Sequence, residues 1–250
     1  PLEQFVVQPL FIPVLTSVLG LTFTNQLLLL FLILFFFAVL FSALVSPKNA
    51  TLFLVPNHWQ SLFESIGSLV SSLVFDNIKD DKASKFLPLI YCIFLFILSL
   101  NMFGLVPYSF TLTSHIIVTF ALALVIFFAI NVVGIRKHGI HFFSLFLPPG
   151  TSIVLSLLLV PIELISYVFK PISLSIRLFA NMMAGHTLLK VIAGFAWSLA
   201  GCTGILFFVH YVPILILIPL FGLELGVALI QAFVFSILTC IYLNDSINLH

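Results

Sequence analysis

Charge is the scarcest commodity in this chain. Only 7% of its 250 residues are charged while 62% are hydrophobic, and the mean hydropathy of +1.31 lies outside the range of soluble domains. The 9 basic and 8 acidic residues nearly cancel, which leaves no electrostatic footprint for nucleic acid. Cysteine is equally sparse. Cys92, Cys202 and Cys240 sit in or beside apolar stretches without ligand spacing, so they read as small core residues, and neither a disulfide framework nor a metal site is expected. No G-x-x-x-x-G-K-[ST] run occurs, which removes that kind of phosphate cradle, and no cofactor is expected. The opening Pro1-Leu2-Glu3-Gln4 has neither an initiator Met nor a basic n-region. A cleavable signal peptide is therefore not expected, and a processed or trimmed start is.

What the chain has is long hydrophobic runs. Residues 27–45 form an almost unbroken Leu/Phe stretch, long enough to span a bilayer. Residues 56–75 differ: Trp59, Leu62, Phe63, Ile66, Leu69, Val70 and Leu73 recur at helical spacing, and Ser61, Glu64, Ser65, Ser68 and Ser72 fall opposite. That pattern predicts an amphipathic helix lying in the membrane interface. Residues 86–106 and 115–134 read as two further spans joined by a tight uncharged turn. The tracts 152–200 and 205–243 are too long for one upright helix each. Each holds either two spans or one long, strongly tilted helix. Phe, at 30 residues, is unusually frequent, a bias that a thymine-rich organellar genome would produce.

Taken together, the pattern predicts an all-α polytopic membrane protein with five crossing elements and one interfacial helix. Lys48, Lys79, Lys82, Lys85, Arg136 and Lys137 then share one side of the membrane, and the opposite turn is uncharged. By the positive-inside rule the amino terminus is expected outside and the carboxyl terminus inside.

The charges that remain inside the apolar tracts are informative. Arg177 lies in Ser173-Leu174-Ser175-Ile176-Arg177-Leu178-Phe179-Ala180-Asn181, with only Lys170 between it and Glu163, and Lys190 the next charge after it. A guanidinium cannot shed its proton to escape the membrane. Holding it at mid-bilayer depth costs roughly 2.5–3.5 kcal/mol or more. Such a group faces a polar pathway or a counter-charge, or else forms a static ion pair that pins two helices.

Helical spacing puts Glu163, Lys170, Ser173, Arg177, Asn181 and Ala184 on one stripe, with His186 on the opposite face. Glu224 and Gln231, seven apart, share a face of the last tract. In an antiparallel hairpin turning at 201–204, His186 comes level with Glu224 and Arg177 with Gln231, while Glu163 lies two turns or more towards the inner side. A His–Glu pair can relay protons. Asn181 and Gln231 can orient water or the guanidinium without titrating. The competing readings are a core histidine bonded to a carbonyl at 186, and Asn181, Gln231 and Ser173 as simple bridges between helices.

The run Ser175-Ile176-Arg177-Leu178-Phe179-Ala180-Asn181-Met182-Met183-Ala184-Gly185-His186 resembles the signature of subunit a of rotary F-type ATP synthases, in its mitochondrial form. Gly222-Leu223-Glu224-Leu225-Gly226-Val227-Ala228-Leu229-Ile230-Gln231-Ala232 resembles that family's last helix. Tyr242-Leu243-Asn244-Asp245 and Val55-Pro56-Asn57-His58-Trp59-Gln60 agree with it, so the similarity extends over essentially the whole chain. The resemblance implies a non-nucleotide-binding stator subunit, a long tilted hairpin packed against a ring of c-subunits, and peripheral-stalk and other membrane-sector partners. It further implies that protons enter an outer half-channel past His186 and Glu224, board a rotor carboxylate, and leave through an inner half-channel past Glu163. Arg177 would separate the two, with Asn181 and Gln231 on the pathway. The implied site is the mitochondrial inner membrane, or a bacterial plasma membrane, with the carboxyl terminus on the matrix side. A stand-alone secondary transporter would show an internal repeat, and the first half has no counterpart of the Arg177 region. A non-conducting scaffold would leave the cost of Arg177 unexplained.

Overall fold

The computed structural model describes residues 5–7, 9–11, 23–45, 58–78, 83–106, 109–139, 142, 153–201 and 209–248. The connection after the first span, the loop before residue 153, most of the hairpin turn and His141 lie outside them. A short antiparallel pair opens the described chain, β1 (Pro9–Phe11) against β2 (Phe23–Thr24), with Pro9 opposite Thr24. The other elements are helical: α1 (Asn25–Val45), α2 (His58–Asn77), α3 (Ala83–Gly104), a 3-10 turn (Leu112–Ser114), α4 (Ile116–His138), α5 (Ile153–Ala200) and α6 (Tyr211–Ile247). The chain is a multi-pass membrane protein, as its composition predicts. Among the described residues, Ala83–Gly104, Ile116–His138, Leu158–Ala200 and Tyr211–Ile247 are long and apolar enough to cross, and Asn25–Val39 is a shorter apolar helix.

Both long tracts are continuous helices. At ~1.5 Å per residue, α5 with its 48 residues is roughly 72 Å long and α6 with 37 roughly 55 Å, against a hydrocarbon layer of about 30 Å. Neither can stand upright without pushing apolar turns into water, so a strong tilt is the geometry that keeps them in lipid. Pro161 and Pro171 in α5 and Pro219 in α6 each lack the N–H for one rung of the ladder.

The core gathers round α6. Phe235, Leu243 and Ile247 meet Val70, Leu73 and Val74 of α2, Ile90 and Ile97 of α3, Ile130 of α4, and Leu174 and Leu178 of α5. A second cluster docks α1 through Leu29 and Ile33 against Leu100 and Leu112. The apolar face of α2 is thus divided: Val70, Leu73 and Val74 are buried by α3 and α6, while Leu62 and Leu69 point outwards. On its polar side, Ser65, Ser68, Ser71 and Ser72 each donate to a carbonyl one turn back. That satisfies the hydroxyls without any partner helix.

Lipid is as apolar as leucine, so burial alone does not hold helices together in a membrane, and cross-helix hydrogen bonds add to packing. Asn101 of α3 donates to Ala228 O of α6 at 3.3 Å. Thr119 of α4 and Ser175 of α5 share a hydroxyl bond at 3.1 Å. His138 Nε2 donates to Ile247 O at 2.6 Å, joining the ends of α4 and α6. Gly134 makes the same junction close: a Cβ there would meet the Phe142 ring at 2.6 Å and Ser246 at 3.3 Å. Helix α4 then stops at Gly139, whose φ of +58° suits a residue without a Cβ.

Candidate functional site

Helix α5 presents two unlike faces. Leu174, Leu178 and Met182 are buried against the bundle, whereas Ser173, Arg177, Ala180, Asn181, Ala184 and Leu188 are exposed along the outer side. Arg177 sits at the midpoint of the helix. Among the described residues it makes no hydrogen bond or salt bridge. Tyr242 of α6 is the described group within its electrostatic reach.

Towards the hairpin turn, α5 and α6 meet through side chains. His186 Nδ1 lies 3.5 Å from Glu224 Oε1, with side-chain exposures of 14% and 5%. Further from the turn, Asn181 Nδ2 donates to Gln231 Oε1 at 3.0 Å. Gly185 is what lets Glu224 in: a Cβ there would stand 2.7 Å from Glu224 Oε1 and 3.0 Å from its carboxyl carbon. Both Glu224 oxygens, His186 Nε2 and Gln231 Nε2 are buried without a hydrogen-bond partner among the described residues. Of these residues Glu224 lines a cavity of about 170 Å³, together with Asn181, Gly185, Leu188 and Leu220 among others, which has room for several waters. Buried polar atoms need partners, and a cavity that admits water can supply them.

The opposite end of the hairpin is built differently. Lys170 Nζ bridges to Asp245 Oδ2 at 3.2 Å and lies 4.7 Å above the Tyr242 ring and 5.3 Å from that of Tyr167. The Tyr167 hydroxyl in turn donates to Asn131 of α4. Glu163 is half-buried, two turns beyond Lys170, and its Oε2 has no described partner.

Two placements depart from simple face counting. Gln231 bonds Asn181, one turn past Arg177, and does not reach the guanidinium. Lys170 takes Asp245 as its partner, not Glu163. His115, at the N-cap of α4, stacks on Phe110 at 5.0 Å. Cys240 is buried and Cys92 faces outwards, both as free thiols. No group of three or more His, Cys, Asp or Glu side chains among the described residues is placed to hold a metal ion.

A buried acid–imidazole pair and a lone outward guanidinium on one membrane-crossing hairpin define a membrane subunit that carries a charged site inside its span. The comparisons narrow that class. The chain belongs to the ATP synthase A chain family, whose model matches residues 27–244. It is 51% identical to "ATP synthase subunit a" of Pylaiella littoralis over all of this chain and 98% of that protein. The counterparts of the same name from Chondrus crispus and Brassica napus are 48% and 47% identical, each again over all of this chain and 96% of the relative.

Proposed function

We propose that this chain is the proton-translocating stator subunit of the membrane sector of an F-type ATP synthase, lying against a ring of c-subunits and tied to a peripheral stalk. The observation that carries the reading is Arg177, a guanidinium without a hydrogen bond or salt bridge among the described residues, on the outward face at the centre of a membrane-crossing helix. A permanent cation there calls for a mobile anion opposite, and a rotor carboxylate is such an anion.

In this reading the outer half-channel delivers protons past His186 and Glu224. The 3.5 Å separation and the adjoining cavity suit transfer through the imidazole or through one water. Asn181 and Gln231 bond each other between that pair and Arg177, and orient water and charge without titrating. Protons taken up by rotor carboxylates travel round and leave past Glu163. Arg177 attracts each deprotonated carboxylate but has no proton to release, so it keeps the two routes separate. Each charge that crosses about 100 mV carries roughly 2.3 kcal/mol, and a short circuit would dissipate it. The pathway takes H⁺ in preference to Na⁺, because the outer site offers one carboxylate and an imidazole where a sodium ion needs clustered oxygens. ATP itself is made elsewhere in the complex. The algal and plant relatives support an organelle inner membrane, read here as the mitochondrial one, and the clustering of Lys and Arg in the loops of one side supports an amino terminus outside and a carboxyl terminus on the matrix side.

The test is Arg177→Ala and Arg177→Lys in the assembled complex. Both variants are expected to abolish coupled synthesis. An ammonium is a compact charge that loses its proton on burial, unlike the guanidinium. Proton flux measured with the catalytic head removed separates a blocked path from an open leak. Near-normal coupled synthesis in Arg177→Ala would overturn the reading.

A further inference from the structure

Tyr242 lies on the inner half of the hairpin, between Arg177 and the Lys170–Asp245 pair. The Lys170 ammonium stands over its ring, 4.7 Å from the centre, and is tied to Asp245 about one turn further along α6. A cation on its face holds the ring in place. The contacts His186–Glu224, Asn181–Gln231 and Lys170–Asp245 fix the register of the hairpin. In that register Tyr242 comes level with α5 just past Lys170, and Arg177 follows roughly 7 Å further along the axis. Side chains lean towards the N-terminus of their own helix. Because α5 and α6 are antiparallel, Arg177 leans towards the inner end and Tyr242 towards the turn, each towards the other. The charge coupling between Arg177 and Tyr242 agrees with that convergence. Neither the guanidinium nor the Tyr242 hydroxyl has a hydrogen-bond partner among the described residues.

The two groups are complementary. A guanidinium only donates, a phenol oxygen accepts, and a phenol is uncharged at physiological pH. We infer that Tyr242 is a positioning residue for Arg177, its hydroxyl receiving the guanidinium each time a rotor carboxylate moves off. This rests on the rotor-carboxylate reading of Arg177. A neutral acceptor suits the task better than a second carboxylate would. It holds a cation less strongly than an anion does, so it gives the guanidinium up when the next carboxylate arrives. By stabilising Arg177 in the interval, it loosens the hold of Arg177 on the departing carboxylate, which must come free to take up its proton. A carboxylate in place of the phenol would trap the guanidinium and stall the exchange.

The experiment compares Tyr242→Phe and Tyr242→Leu in the whole complex, measuring proton flux through the membrane sector against the pH of the uptake side. Phenylalanine keeps the ring beneath Lys170 and removes only the oxygen, whereas leucine removes both. Flux in Tyr242→Phe is expected to fall roughly two- to tenfold, the rate equivalent of one hydrogen bond. Tyr242→Leu should lose at least as much. The pH of half-maximal flux should move down in both, because a guanidinium without its alternative acceptor favours the ionised carboxylate more strongly. The titratable and charged groups around the ring, Lys170, Asp245, Tyr167 and Arg177, are the same in all three proteins. Wild-type flux and profile in Tyr242→Phe would overturn the inference even where Tyr242→Leu is impaired, since that pattern marks a packing role of the ring. So would a loss in both variants at an unaltered or raised profile. If Tyr242→Leu fails to assemble, Tyr242→Phe decides alone on the same terms. Arg177→Ala supplies the control. If it remains coupled, the underlying reading has failed; if it is uncoupled while Tyr242→Phe behaves as wild type, only the role of Tyr242 has.

Discussion

The two ends of the α5–α6 hairpin solve the problem of polar groups in lipid in opposite ways. Near the turn, His186, Glu224 and Gln231 leave buried polar atoms without hydrogen-bond partners among the described residues, and Glu224 lines a cavity. At the far end, Lys170 and Asp245 answer each other, the Tyr242 and Tyr167 rings lie within reach of the ammonium, and the Tyr167 hydroxyl is bonded to Asn131. A saturated set of bonds holds helices in place but has little capacity to pass a proton on. An unsaturated set costs stability, about 1–3 kcal/mol for each group left without a partner, and persists where water or a transferred proton completes it. One end of the same helix pair is built as an anchor, and the proposed function makes the other its working end. Glu163, half-buried beyond the anchor, departs from that division, since its Oε2 has no partner among the described residues.

The contrast is broken most severely at the working end. Replacing Glu224 or His186 by Ala should slow proton-driven synthesis by about 10²-fold or more while the complex still assembles, the scale of losing a group that carries a proton. If the two act as a pair, exchanging them (His186→Glu with Glu224→His) should recover more activity than either half of the exchange alone. A double exchange no better than the worse single variant would show that they work independently.

A smaller but informative effect is expected at Gly185. A methyl group there would overlap Glu224 Oε1, so Gly185→Ala must push the carboxyl aside at an overpacking cost of about 1–3 kcal/mol. Proton flux should fall more than complex stability does. Unchanged flux would mean that the carboxylate does not need this seat.

The smallest effect is expected at the anchor. Lys170 and Asp245 are both partly exposed, and pairs of that kind contribute about 1 kcal/mol or less. Lys170→Gln should loosen the complex in detergent slightly and leave proton flux within about twofold. A loss of flux as deep as that of Glu224→Ala would erase the distinction between the two ends.

Much of this architecture can be seen in the residue string, because a membrane allows few solutions. The uncharged runs mark the helices, and the length of the last two tracts forces a choice between two spans and one tilted helix. The structure makes that choice with unbroken α5 and α6. Counting helical faces and fixing the turn brings His186 level with Glu224, where the side chains do meet. Further from the turn the count drifts. Gln231 reaches Asn181, and Lys170 reaches Asp245, because long helices that cross at an angle do not keep one residue-to-residue register along their whole length. Contacts set by three-dimensional closeness leave almost no trace in the string. Gly185 looks like any helical glycine until the distance between the helices is known, and Asn101 looks like an isolated polar residue of another span. The clue, seen afterwards, is that a membrane helix rarely carries an amide without a use for it.

The outward placement of Arg177 also bears on how the protein comes into being. A chain released alone into lipid would carry a guanidinium on its flank at the helix midpoint, either dragging water inwards or bending the bilayer towards it. In the proposed reading a partner covers that flank, and the stability of the chain is then tied to the partner's presence, as in an obligate oligomer. On that reading, the exposed guanidinium that would serve the assembled complex also leaves the unassembled subunit unfinished.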